Sequence, residues 1–126
     1  MRHVIAVVPD LFFATKIAAT AKALGVSVAL EPLARTAERA IAAPPELVLL
    51  DLHAPGDPLA LIRALKADPR TNAIPIVGFY SHVEGALRRD ALAAGIDSAL
   101  PRSAFVAQLA PLLTGDPSSS STDRTP

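Results

Sequence analysis

Short apolar runs separated by longer stretches of helical periodicity repeat along this chain, and that alternation constrains its fold more than any other feature. The runs His3 to Val8, Ser27 to Leu30, Leu47 to Leu50, Ile76 to Tyr80 and Ser98 to Leu100 are strand-sized. They are mostly continuous rather than alternating, as strands buried on both faces are. Between them Phe13, Ile17, Ala21 and Leu24 recur at helical spacing, as do Leu61 with Leu65, Val83 with Leu87 and Ala91, and Phe105 with Leu109 and Leu112. A further Ala-rich helix is expected from about Ala34 to Ala42. Breakers fall at the joins: Gly25, Pro44-Pro45, Asp68-Pro69 and Gly95. Five such units predict a doubly wound (βα)5 domain of the α/β class, a parallel sheet sandwiched between two helical layers.

Composition narrows the function classes. A chain of 126 residues is one domain and buries roughly two-thirds of its unfolded surface, so it needs no disulfide or structural zinc. The 51% hydrophobic content overstates the core, because 25 residues are Ala. No run approaches the ~20 apolar residues of a membrane helix, and the apolar stretch before Pro9-Asp10 is too short for a signal peptide. A cytoplasmic protein is expected. With no Cys, thiol chemistry is excluded. Twelve basic and twelve acidic side chains cancel, which argues against a nucleic-acid role for this domain. The domain is expected to span 1–113, with 114–126 a disordered tail or linker, since TGDPSSSSTDRTP has no large apolar residue to bury.

In an open parallel sheet, ligands bind beyond the carboxyl ends of the strands, where strand order reverses. Asp10 follows strand one, Asp51 ends strand three after LVLL, Tyr80 and Ser81 end strand four, and Arg102 follows strand five. All would face one crevice. Two carboxylates with a backbone carbonyl would suit a hard cation such as Mg²⁺. Each residue has a second reading: Asp10 as a helix cap, Asp51 as a turn starter, Tyr80 as a packing residue, Arg102 as a solvated surface group. His53 and His82 border the same crevice, but their spacing matches no metal motif.

Over nearly all of residues 1–113 the chain resembles the CheY-like receiver domains of two-component response regulators. The resemblance rests on PELVLLDLHAPG (Pro45 to Gly56), NAIPIVGFYS (Asn72 to Ser81) and AGIDSALPRS (Ala94 to Ser103). It implies a flavodoxin-like three-layer sandwich with strand order 2-1-3-4-5. It further implies Asp51 as the phosphoacceptor, with Mg²⁺ held by Asp10, Asp51 and the backbone carbonyl of His53. Phosphoryl transfer of this kind depends on positioning and charge neutralisation, so each missing part matters.

Several parts differ. Pro9 stands where the family has the first of two acids after strand one, and the loss of that carboxylate is expected to weaken Mg²⁺ binding. Tyr80 replaces a small hydroxyl residue, and its bulk threatens the pocket unless Ser81 substitutes. Arg102 replaces a Lys and is not its isostere. Ser103 replaces the following Pro, so a trans peptide and a shifted loop after strand five are expected, a cis bond there costing ~3 kcal/mol. Ala99 stands in place of the aromatic switch residue. The expectation is an atypical receiver that acts in signal transduction by protein contact and is not an enzyme. The alternative is a conventional Mg-dependent phosphoacceptor. A small ligand-binding flavodoxin-like protein ranks behind both, for want of a Gly-rich phosphate loop. The partners implied are a histidine kinase or another signalling protein, and a second copy through the face of helix four, strand five and helix five, where Arg88, Arg89 and Asp90 stand on the outer side. No nucleic-acid or membrane partner is expected.

Overall fold

Strands form where the apolar runs stand: β1 (His3–Val7), β2 (Ser27–Leu30), β3 (Leu47–Asp51), β4 (Ile76–Tyr80) and β5 (Ser98–Pro101). Helices α1 (Leu11–Ala23), α2 (Leu33–Ala42), α3 (Pro58–Ala67), α4 (Gly85–Ala94), α5 (Arg102–Ala107) and α6 (Leu109–Thr114) follow them in turn. The structure, a computed structural model, describes residues 2–81 and 85–115. His82, Val83 and the stretch 116–126 of the expected tail lie outside them. Thr114 closes α6 and Gly115 caps it in the left-handed conformation.

The sheet order is β2-β1-β3-β4-β5, with every neighbouring pair parallel. From β1 the chain crosses to β2 at one edge, then returns past β1 to build β3, β4 and β5. Right-handed crossovers taken in opposite directions place their helices on opposite faces. Accordingly Phe13 and Ile17 of α1, Phe105 of α5 and Leu109 and Leu113 of α6 pack with Val4, Leu49 and Phe79 on one face. Leu61, Ile62 and Leu65 of α3, with Ala40 of α2 and Ala91 of α4, pack with Ile5, Val48, Leu50 and Ile76 on the other. Ile5, Leu49 and Leu50 are almost wholly buried, each contributing about 1.5–3 kcal/mol. The two faces explain why β1 and β3 are continuous apolar runs: alternate residues feed alternate cores.

Two features depart from expectation. The periodicity of Phe105, Leu109 and Leu112 predicts one final helix, yet it is divided at Gln108. Pro111 has no N–H for the Ala107 carbonyl and its ring crowds that carbonyl, which interrupts the helix there. The loop expected after strand five has no residues, since β5 ends at Pro101 and α5 begins at Arg102. No peptide among the described residues is cis.

Candidate functional site

The turn after β1 has to begin a helix, and Asp10 caps it. Its Oδ1 accepts hydrogen bonds from the backbone N–H of Phe12 at 3.0 Å and of Phe13 at 3.3 Å, satisfying donors that the first turn would otherwise leave unpaired. Its Oδ2 lies 3.4 Å from Nη2 of Arg102. The Phe13 N–H, with the Arg102 guanidinium adding to it, holds the Asp10 carboxyl below its ordinary value.

Because β5 runs straight into α5, Arg102 emerges at the carboxyl end of the sheet with little slack. Its guanidinium carbon stands 4.0 Å from the centroid of the Phe13 ring, a cation–π distance. Arg102 is thus held from two sides by the first turn of α1, by the carboxylate of Asp10 and by the ring three residues on. In the sequence Phe13 reads only as a core residue; its second role was signalled, if at all, by standing three positions after a capping Asp.

Asp51 is half-buried at the end of β3. Its Oδ1 accepts from the His53 N–H at 2.8 Å, and its backbone carbonyl accepts from the Ala54 N–H at 3.0 Å. It therefore starts the turn and also stands at the carboxyl end of the central strand. The His53 imidazole Nε2 accepts a hydrogen bond from the Ser81 N–H at 3.2 Å, tying the β3–α3 loop to the end of β4. The resemblance implies the His53 carbonyl as a ligand, and nothing in the sequence signals this side-chain contact.

Tyr80 takes its packing reading. Phe79 is the register partner of Asp51 and belongs to the α1 face, so the next residue points to the opposite face. Tyr80 is 8% exposed and belongs to the core cluster with Leu52, Ile96 and Ala99. On the same face the space left by Gly78 is filled by Ile96 and Leu52, side chains of the cluster that holds Tyr80. A Cβ at Gly78 would stand 2.8 Å from Ile96 Cδ1 and 3.0 Å from Leu52 Cγ. The ring is drawn into the core instead of standing over the crevice as its bulk alone suggests.

The crevice thus gathers Asp10, Arg102 and Phe13 at one side and Asp51, His53 and Ser81 at the other. Among the described residues, no group of three or more His, Asp or Glu side chains converges as a metal centre. No helix among them is long and apolar enough to cross a membrane.

No family sequence profile matches the chain, and no curated protein matches it in sequence. Solved structures do match in fold. The BeF3-activated N-terminal receiver domain of RstA from Klebsiella pneumoniae is 27% identical, with a TM-score of 0.75 over 89% of this chain and 98% of that one. The receiver domain of a sensor histidine kinase from Pseudomonas aeruginosa, with magnesium coordinated in its active-site cleft, is 20% identical, with a TM-score of 0.75 over 90% of this chain and 98% of that one. The chemotaxis protein CheY4 of Vibrio cholerae is 16% identical, with a TM-score of 0.77 over 90% and 99%.

Proposed function

Since this chain has the receiver-domain fold of two-component response regulators, we propose that it is a signalling receiver of atypical kind, working in the cytoplasm by protein contact without depending on phosphorylation of Asp51. The observation that carries this reading is the Arg102 guanidinium lodged against Asp10 and Phe13. Magnesium is held by oxygen donors. Here one oxygen of Asp10 is taken by the helix cap and the other faces Arg102, while Pro9 stands where a second acid would be. As folded, that donor set does not suit a divalent cation, because a positive charge of the chain's own already lies beside the carboxylate. For the phosphoryl group, Tyr80 stands in the core where a small hydroxyl residue would end β4, and Ser81 beside it gives its backbone N–H to His53. The partner would be a histidine kinase or another signalling protein.

A second reading has its own observation. Asp51 retains the end of β3, half-buried, in a fold whose neighbours include one with magnesium in its cleft. In that reading Asp10, Asp51 and the His53 carbonyl would hold Mg²⁺, which would neutralise charge on the phosphoryl group, and a carboxylate oxygen of Asp51 would bond to phosphorus as the donor's leaving group departs.

Incubation with acetyl phosphate and MgCl2, followed by intact mass, separates the two. An unchanged mass is expected. Stoichiometric phosphoryl addition at Asp51 with a change in oligomeric state would establish the conventional reading instead. In parallel, Arg102→Ala is expected to strengthen Mg²⁺ binding about threefold, the scale of an exposed ion pair, read from amide shifts around Asp51 in a metal titration. Equal affinity in the two proteins would remove Arg102 from the account.

A further inference from the structure

The carboxyl end of the sheet holds a cavity of about 400 Å³ that is separate from the crevice, since none of Asp10, Asp51, His53 and Arg102 lines it. Its floor is Ala6 and Val7 of β1, which feed opposite cores. Its walls come from the turns after β1, β2 and β3, each of which contributes a proline: Pro9, Pro32 and Pro55. Space is left there because Ala6, Ala14 and Ala54 are short and buried. The place follows from the topology. Sheet order reverses at β1, with α1 covering one face and α2 and α3 the other. Helices that part in this way leave a crevice between them, where open α/β sheets hold small molecules. The volume is within the range of roughly 300–1,000 Å³ that ligand pockets occupy.

The lining defines the class of occupant. Proline has no N–H, so the three prolines offer no backbone donor, and their rings hold the turns in shape before anything binds. Glu31 is the lining residue with a charged side chain, and its carboxylate already faces Arg39 at 3.6 Å. A charged ligand would lose hydration there and gain no partner. A neutral apolar ring has no such cost, and it would cover Leu11 and Leu30, which line the cavity yet stand 78% and 49% exposed. Phe12, more exposed still, lines no part of it. The apolar surface therefore does not continue around α1, as a protein interface of about 800 Å² per partner would require.

We propose that this cavity is a binding site for a small neutral molecule built on an apolar ring system of about the size of indole. The site needs neither metal nor phosphoryl group. Its walls are nevertheless continuous with the crevice: Pro9 precedes the capping Asp10, and Ala54 gives its N–H to the Asp51 carbonyl at 3.0 Å. An occupant pressing on these two turns is felt at both carboxylates. The domain thereby has a chemical input that does not pass through phosphorylation.

Titration of the full chain with indole, followed through amide shifts, tests the site. Saturable binding is expected with Kd between about 10 µM and 1 mM, moving the amides of Val8, Leu30, Leu33 and Ala54 together with those of Asp10 and Asp51. The chain contains no Trp, so indole fluorescence gives a second readout. Tryptamine and indole-3-acetate carry the same ring with a positive or a negative charge, and each should bind at least about tenfold more weakly. Leu30→Glu should weaken indole binding by a similar factor without moving the Tm, its side chain being half exposed. Phe12→Ala should leave binding unchanged. Shifts that fail to saturate would overturn the proposal, as would shifts centred on Ala37, Ala60 and Ala64 in the neighbouring groove between α2 and α3. So would equal binding of either charged analogue, or a dependence on Phe12 in place of Leu30.

Discussion

Arg70 shows at a single residue what the surface charges of this chain do. Its Nη2 and Nε donate to the Asp68 carboxylate at 2.7 and 3.1 Å, and its backbone N–H donates to the same group at 2.8 Å. The side-chain bonds, followed by the backbone bond, lower the Asp68 carboxyl from 3.8 to about 2. A carboxyl with a depressed folded value contributes stability that is present above its unfolded value and lost as pH falls through the folded one. The contribution of Asp68 is therefore expected to disappear between about pH 4 and pH 2, with an NMR titration midpoint for Asp68 near 2 that rises in Arg70→Ala. The capping role of Asp10 was legible at this scale, because a carboxylate just before a helical stretch has local N–H groups to satisfy. Its pairing with Arg102 was not, since the two residues are 92 positions apart.

Elements were the most legible level. Apolar runs of three to six residues placed all five strands to within a residue, most clearly the central β1, β3 and β4, because a strand buried on both faces tolerates no polar residue in its middle. The last helix shows where periodicity misleads. Phe105, Leu109 and Leu113 keep one buried face across the break, so the apolar spacing continues although the backbone ladder does not. Replacing Pro111 with Ala is expected to restore a bond from the residue 111 N–H to the Ala107 carbonyl. The amide that the substitution creates at position 111 should be protected from exchange, and stability should rise by up to about 1 kcal/mol. Arg2 is already positioned to secure this end of the molecule, its Nε donating to the Leu113 carbonyl at 2.6 Å.

At the scale of the whole molecule, the side chains that fill both cores among the described residues all precede Gly115. Ending the chain after Gly115 is expected to change stability by less than about 0.5 kcal/mol, measured by urea unfolding; a larger loss would show that the remaining residues contribute to the fold. The sequence by itself determined the number of strands, their order along the chain, the helices between them and the convergence of Asp10, Asp51, Tyr80, Ser81 and Arg102 on one end of a parallel sheet. Those follow from local rules, since strand period, helix period and turn chemistry each act within a few residues. Only the tertiary structure decided what the converging residues do there: Arg102 pairs with Asp10 and covers Phe13, His53 reaches Ser81, and Tyr80 turns into the core with Leu52, Ile96 and Ala99. Those outcomes are competitions for space and charge among side chains that distant segments bring together, and they are settled by packing that no local pattern encodes.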